Sequence, residues 1–249
     1  MAHGKIVDIS KHANRSEQCP LKRCPLRQHC ADQGAETRWQ PSYTTLRRNE
    51  TLLKQGDSNS DIFIVRSGSL KLVALDRDGS EQIVGFCFPG DIVNPSAIAG
   101  GASAISVVAL ESSSICDVTP SCLAAPASDG FYKALAGECA RQLNQRDNHA
   151  LVVGQRSARQ RLAWFLVNIS NQYAGRGFSA EEFNLSMSRH DIANFLALAI
   201  ETVSRLLGDL ARDEVIEVHG RMVTILDAAR LRTIACMETE GLTRLENAS

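Results

Sequence analysis

The chain carries no excess of charge of either sign. Its 27 lysines and arginines face 28 acidic residues, a formal net charge of −1. The basic surplus common in dedicated nucleic-acid binders is therefore missing, although binding depends only on the face that meets the phosphates. Nor is a secretory signal expected, because the first residues, MAHGKIVDISKHANRSEQ, are polar and charged with no apolar centre. No long hydrophobic run exists: the longest uncharged stretch, Ile92 to Leu110, is broken by Pro95, Gly100, Gly101 and several serines, which excludes a membrane span. A cytoplasmic protein without membrane attachment is expected. The six histidines are scattered, and no Ser/His/Asp arrangement or phosphate-cradling loop stands out, so an enzyme is not expected. An apolar fraction of 44% with 22% charged residues excludes wholesale disorder, and 249 residues allow two domains with separate cores.

The pattern changes along the chain. Residues 1 to about 33 form a polar arm with a cysteine cluster. From about Tyr43 to Val118 come short apolar runs divided by turns: Ile62-Phe-Ile-Val65 before Arg66-Ser-Gly68, Leu70 to Leu75 before Asp76-Arg-Asp-Gly79, Gln82 to Phe88 before Pro89-Gly-Asp91, then Ile105 to Leu110. Such spacing predicts a small antiparallel sandwich or barrel. Residues 131 to 153 instead place Phe131, Leu135, Cys139, Leu143, Ala150 and Val153 on one helical stripe, with Arg146 as its charged member. Two readings stand for this helix: it lies on its own barrel, or it pairs with a symmetry mate. A further amphipathic helix spans Arg159 to Tyr173 and ends at Gly175-Arg-Gly177.

The strongest functional signal lies between Leu185 and Leu226. Ser188-Arg-His-Asp191 has capping-box spacing and predicts a helix start. That helix buries Ile192, Phe195 and Leu196. A short link, Ala197-Leu-Ala199, leads to a second helix, Ile200 to Arg212, whose apolar face is Val203, Leu206, Leu207 and Leu210. This is a helix-turn-helix, and Val215 to Ile225 follows as a hairpin wing with Arg221 at its tip. Glu201, Ser204 and Arg205 cluster at the second helix's N-terminal end, where a recognition helix meets base edges. Arg205 suits guanine O6 and N7, Glu201 a cytosine amino group, and Ser204 either kind of edge. Ile200 and Arg189 complete the expected DNA-facing set, with Arg221 placed for a phosphate.

Ile200-Glu-Thr-Val-Ser-Arg-Leu-Leu207, with Arg159-Gln-Arg-Leu-Ala-Trp-Phe-Leu166 and Arg176-Gly-Phe-Ser179 upstream, resembles the C-terminal domain of the CRP/FNR superfamily, in particular its fumarate and nitrate reduction branch. The likeness runs from about residue 45 to 226 and takes in Ile64-Val-Arg-Ser-Gly68, Glu81 to Phe86 and Ala109-Leu-Glu-Ser112. It implies an α+β fold with an N-terminal β-roll sensor domain like those that bind cyclic nucleotides, a long dimerisation helix and a C-terminal winged helix-turn-helix. The expected domains are 1–33 (arm), 34–130 (roll), 131–156 (dimer helix), 157–235 (DNA-binding) and 236–249 (tail). Leu135, Cys139, Leu143, Arg146, Ala150 and Val153 would then form the homodimer interface. The branch binds pseudo-palindromic TTGAT-type operators on double-stranded DNA and contacts RNA polymerase.

Eight cysteines are not readily explained as disulfides in a reducing compartment. Cys19, Cys24 and Cys30 sit among Lys22, Arg23, Arg27 and His29, where positive charge favours the thiolate that ligates metal. Three thiols leave a four-ligand site one short. The resemblance supplies the fourth, since the branch's Ala-Leu-Glu-x-x-x-x-Cys stretch falls on Ala109 to Cys116, and it implies an oxygen-sensing [4Fe–4S] cluster on Cys19, Cys24, Cys30 and Cys116. The alternative is a regulator of the same fold with a structural zinc or no metal and a different signal. Cys87, Cys122, Cys139 and Cys236 then read as core residues. Two departures stand out. The arm reads Cys-x4-Cys-x5-Cys where the best-known members have Cys-x2-Cys-x5-Cys, and Arg146 lies in a region where an acidic residue disfavours the dimer. The cyclic-nucleotide-binding branch holds the phosphate with an acid and an arginine, but here the corresponding stretches are Val93-Asn-Pro-Ser96 and Ile105-Ser106, so no cyclic nucleotide is expected.

Overall fold

Short apolar runs account for the eight strands found among the described residues of the N-terminal half. They are β1 (Ser42–Leu46), β2 (Thr51–Leu53), β3 (Ile62–Ser67), β4 (Leu70–Leu75), β5 (Glu81–Cys87), β6 (Ile92–Val93), β7 (Ser106–Ala109) and β8 (Ser113–Val118). The computed structural model describes Cys24 and residues 42–58, 61–95, 97, 100–118 and 129–236. It divides into two compact units, 1–146 and 147–249, and the division falls inside a long helix, α1 (Asp129–Gln155). Cys19, Cys30, Cys122 and the expected tail beyond Cys236 lie outside the described residues.

In the first unit the strands form two antiparallel sheets, ordered β1-β8-β3-β6 and β2-β7-β4-β5. Between them lies a core of Leu46, Leu53, Phe63, Val65, Leu70, Leu72, Val107 and Ile115 among others. Successive strand residues point to opposite faces, so Phe63 and Val65 fill this core while Ile62 and Ile64 face the other way. Yet those two are buried as well, because they cluster with their strand neighbours Ile92 and Val118 and with Ala97 and Leu135, the last of these from α1, on that outer face. The unbroken run Ile62-Phe-Ile-Val65 is thus the signature of a strand with two dry faces.

Polar bonds fix the first half of α1 to the roll. Arg141 donates to Asp91 at 2.7 Å and also pairs with Glu138, while the Gln142 amide donates to the carbonyl of Ile92 at 2.9 Å. Asp91 is buried and accepts a further bond from the amide of Phe88, so the arginine meets a carboxylate already held in place.

The second unit contains the last turns of α1, then α2 (Ala158–Ala174), β9 (Glu182–Asn184), α3 (Arg189–Leu196), α4 (Ile200–Arg212), β10 (Ile216–His219), β11 (Met222–Ile225) and α5 (Ala228–Ile234). A capping box opens α2: the Ser157 side chain accepts from the Gln160 amide, and the Gln160 side chain accepts from the Ser157 amide. The wing is a three-stranded sheet, β10-β11-β9, in which the expected hairpin gains β9. Neither β9 nor α5 was expected. The first is only three residues long, and the signal for the second is a single N-cap, Asp227, which accepts from the amide of Arg230. The architecture is α+β: a β-roll, a long helix and a winged helix-turn-helix.

One expectation about the cysteines is corrected. Cys87 is buried in the roll core, but Cys236 is exposed just past α5, so it is not a core residue. It stands one position beyond the buried C-cap residue Ala235, with left-handed backbone at φ 49°.

Gly68 supplies the tight connection from β3 to β4 at φ 79°, and a Cβ there would lie 2.6 Å from the Ser112 carbonyl and closer still to the Ser113 hydroxyl. Replacing Gly68 by Ala forces both strain and a clash, so we expect a loss of about 2 kcal/mol or more in urea unfolding. An unchanged midpoint would show that the turn relaxes without cost.

Candidate nucleic-acid interface and thiol site

The helix-turn-helix is built from its start by Ser188. Its hydroxyl accepts from the Asp191 amide at 3.1 Å, and the Asp191 carboxylate accepts from the Ser188 amide at 2.8 Å, so the capping box is present and Asp191 is buried within it. α3 then buries Ile192, Ala193, Phe195 and Leu196. It stops at Ala197, which takes left-handed backbone at φ 51° and ψ 52°. The amides of Leu198 and Ala197 turn back onto the carbonyls of Ala193 and Asn194, the bond pattern of a Schellman cap.

α4 follows with one apolar stripe, Val203, Leu206, Leu207 and Leu210, all buried. Residues three and four apart share a face, so Glu201, Ser204, Arg205 and Gly208 form the opposite, exposed stripe. Ile200 is exposed beside them. Ala199 gives the helix no side-chain cap, which leaves its first amides to outside acceptors.

The two arginines expected to touch DNA have a second task. Arg189 donates to the carbonyl of Gly220 at the wing tip, 3.1 Å away, and Arg221 of the wing donates to the carbonyl of Ser186, 3.2 Å away. The two bonds run in opposite directions between the wing and the start of α3, and clasp them together. Arg189 is partly buried and burial lowers its pKa, whereas Arg221 keeps an exposed surface beyond the clasp.

The thiols lie in the other unit. Cys24, Cys116 and Cys139 are half-buried against one apolar group, Ile62, Ile64, Ile92, Ala97, Val118 and Leu135. Pairing across the sheet explains the place of Cys116: it sits opposite Ile64 of β3, which in turn sits opposite Ile92 of β6. Burial, and then the charge of Glu138, raise the pKa of the Cys139 thiol. Among the described residues no three His, Cys, Asp or Glu side chains are grouped closely enough to hold a metal ion. Two of the four expected ligands, Cys19 and Cys30, are not among those residues.

The stripe assigned to the dimer interface divides in the structure. Leu135 is buried and Cys139 half-buried against the roll's own outer face. Leu143, Arg146 and Ala150 are exposed, and Val153 is half-buried. Leu151, one position off the stripe, is exposed as well.

A β-roll followed by a winged helix-turn-helix, with a clean polar stripe on the second helix, defines a DNA-binding regulator. Two family models match, the cyclic nucleotide-binding domain over residues 43–125 and the Crp-like helix-turn-helix domain over residues 160–234. The chain is 37% identical over 198 residues to the transcriptional activator protein Anr of Pseudomonas protegens, covering 79% of this chain and 81% of that one. It is 34% identical over 200 residues to the fumarate and nitrate reduction regulatory protein of Vibrio cholerae, with 79% of each chain covered. Among solved structures, FixK2 from Bradyrhizobium japonicum superposes with a TM-score of 0.70 at 27% identity, over 78% of this chain and 96% of that one. The chain belongs to the CRP/FNR family of transcription regulators, a DNA-binding and non-enzymatic family. No helix among the described residues is long and apolar enough to cross a membrane.

Replacing Ser188 by Ala deletes the cap of α3 and leaves the Asp191 carboxylate without the hydroxyl. A loss of about 1 kcal/mol is expected in chemical unfolding, with the loss confined to the unit that contains α3. A change below about 0.3 kcal/mol would mean that the cap is redundant.

Proposed function

We propose that this chain is an oxygen- and redox-responsive transcription regulator. It binds a pseudo-palindromic TTGAT-type operator as a homodimer, under the control of a [4Fe–4S] cluster held by Cys19, Cys24, Cys30 and Cys116. The observation that carries the sensor half is the meeting of Cys24, from the arm, with Cys116 of β8 on one apolar group. Thiols from two distant stretches of sequence converge there on a surface of low polarity, which suits a thiolate-ligated cluster and not a hydrated hard cation. Bound there, the cluster would supply an oxygen-labile centre. Curated relatives named as fumarate and nitrate reduction regulators support the same assignment.

The chain's own residues supply a route from that site. Leu135 and Cys139 of α1 pack on the apolar group that Cys24 and Cys116 share, so a change in the thiols' packing meets the long helix directly. Further along, Leu143, Arg146 and Ala150 offer an exposed surface for a second copy, with Val153 at its margin. Two arginines facing each other across the symmetry axis would weaken such a dimer and keep it responsive. On the dimer, the α4 helices enter successive major grooves. Arg205, Ser204 and Glu201 then read base edges beside Ile200, while Arg189 and Arg221 approach the backbone. The uncapped first amides of α4 favour a phosphate. Contacts to RNA polymerase and a cytoplasmic setting follow from the same family role. A cyclic nucleotide is not the effector: Asn94 is buried in the stretch that would need an acid, with its amide donating to the carbonyl of Asp61. In this scheme the segments 1–33, 34–130, 131–156, 157–235 and 236–249 serve as arm, sensor, dimer helix, reader and tail.

Two experiments test the halves separately. Anaerobically purified protein is expected to hold about four iron and four sulfide per chain, and to lose operator affinity in air. Cys116→Ser should lose the iron and Cys139→Ser should keep it. Colourless protein, bound zinc, or DNA binding indifferent to air overturns the sensor assignment. For the reader, Arg205→Ala is expected to cost about 1–3 kcal/mol on the operator with little change on unrelated DNA; preserved preference would remove Arg205 from base readout.

A further inference from the structure

A helix cannot satisfy its own last carbonyls, and α3 ends on the buried Phe195 and Leu196 at a corner where no glycine stands. The Schellman bonds serve Ala193 and Asn194. The next three carbonyls, Phe195, Leu196 and Ala197, accept from two side chains outside the helix-turn-helix. The His149 ring lies with its Nε2 2.8 Å from the Phe195 carbonyl. Since a carbonyl only accepts, Nε2 carries the proton. The same ring stacks face to face on Phe195, with centroids 3.9 Å apart and planes 6° from parallel, and Trp164 of α2 extends the stack. Arg161 of α2 donates to Leu196 at 3.2 Å and to Ala197 at 3.4 Å, and its Nε donates to the Arg156 carbonyl just past α1 at 2.8 Å.

We infer that His149 and Arg161 are positioning residues of the DNA reader: together they hold the left-handed corner at Ala197 and so set the direction in which α4 leaves it. Three features combine in this assignment. The corner uses an alanine where left-handed backbone is unfavourable for any residue with a Cβ, so it needs support from its surroundings. The support comes from donors placed at a helix C-terminus, where the carbonyl dipoles favour them. Both donors belong to elements outside the helix-turn-helix itself, His149 on the final turns of α1 and Arg161 on α2, beside the Arg156-Ser157 junction that follows α1. A rotation or slide of those last turns therefore pulls on the corner through defined bonds. The recognition helix has no side-chain cap of its own at Ala199, so nothing at that end competes with the setting of the corner. This inference rests on the DNA-reading role of the family and not on the cluster.

The test uses the full chain, a duplex that the unmodified chain selects from a random pool, and a scrambled duplex of equal length. His149→Phe keeps a flat ring for the stack and removes the donor; Arg161→Met keeps the stem and removes the fork. For each, affinity for the selected duplex is expected to fall about tenfold. Binding to the scrambled duplex should change by less than about twofold. Amide exchange at Leu198 should quicken while the middle of α2 stays protected. His149→Gln, which can donate but not stack, should recover part of the loss. If Arg161→Met fails to fold, Arg161→Lys and the His149 variants carry the test. A selected-to-scrambled ratio that stays within about twofold of the unmodified chain, with Leu198 exchange unchanged, overturns the inference. Equal losses on both duplexes also overturn it, because they mark a general structural defect.

Discussion

The reader half of this protein depends on one backbone conformation, the left-handed turn at Ala197. Everything that would meet a base edge lies on the helix that leaves this residue. An error of a few degrees there is carried along α4 and displaces Glu201, Ser204 and Arg205 together. The protein fixes the corner from several sides. The capping box of Ser188 and Asp191 sets where α3 begins, the burial of Phe195 and Leu196 sets its rotation, and His149 with Arg161 holds its last carbonyls. The wing is tied back to the same helix by the opposed bonds of Arg189 and Arg221. A DNA contact by those arginines would not conflict with the clasp, because a guanidinium has five N–H donors and each clasp bond uses one of them.

A corresponding constraint governs the sensor half. The sheet β1-β8-β3-β6 has apolar residues on both faces, and one of its faces has no second sheet to cover it. The cover comes from Leu135 and Cys139 of α1 and from Cys24 of the arm. The surface that buries the outer face of β3 is thus also the surface on which the thiols and the long helix meet. A cluster held there, as proposed, would need no long chain of intermediates to reach the helix, since the thiols and the helix share neighbours. The bonds of Arg141 to Asp91 and of Gln142 to Ile92 hold the helix against lengthwise sliding at this end.

The sequence carried the reader's outline well, for identifiable physical reasons. Ser188 to Asp191 is a local signal, and the stripe of Val203, Leu206, Leu207 and Leu210 has helical period, so α4 was legible to its end residues. The strands of the roll were legible where turns such as Arg66-Ser-Gly68 bound them. Less was legible where contacts are made across the fold. The helical stripe of α1 gave the apolar residues without saying what covers them, and Leu135 proved to lie on the roll. His149 carries no local signal at all, because its role depends on a carbonyl 46 positions away. The start of α2 carries a capping box in the spacing of Ser157 and Gln160, a local signal that stands beside the helical period of its apolar residues.

The near-neutral charge bears on why conditional dimerisation would be an effective control. Counterion release supplies most of the sequence-independent affinity of a DNA-binding protein, and it grows with the number of phosphates neutralised. A chain with net charge −1 has no overall basic surplus to draw on, and an acidic residue, Glu201, stands on the exposed stripe of α4. Binding must then come from close contacts, which are few on a single recognition helix. Joining two copies makes the second helix's binding intramolecular, at an effective concentration far above that of free chains. For a strongly basic protein the monomer would still hold DNA and the control would leak. In the proposed scheme the loss of pairing would remove most of the affinity, and a modest change in the packing around Leu135 and Cys139 would then decide whether the operator is occupied.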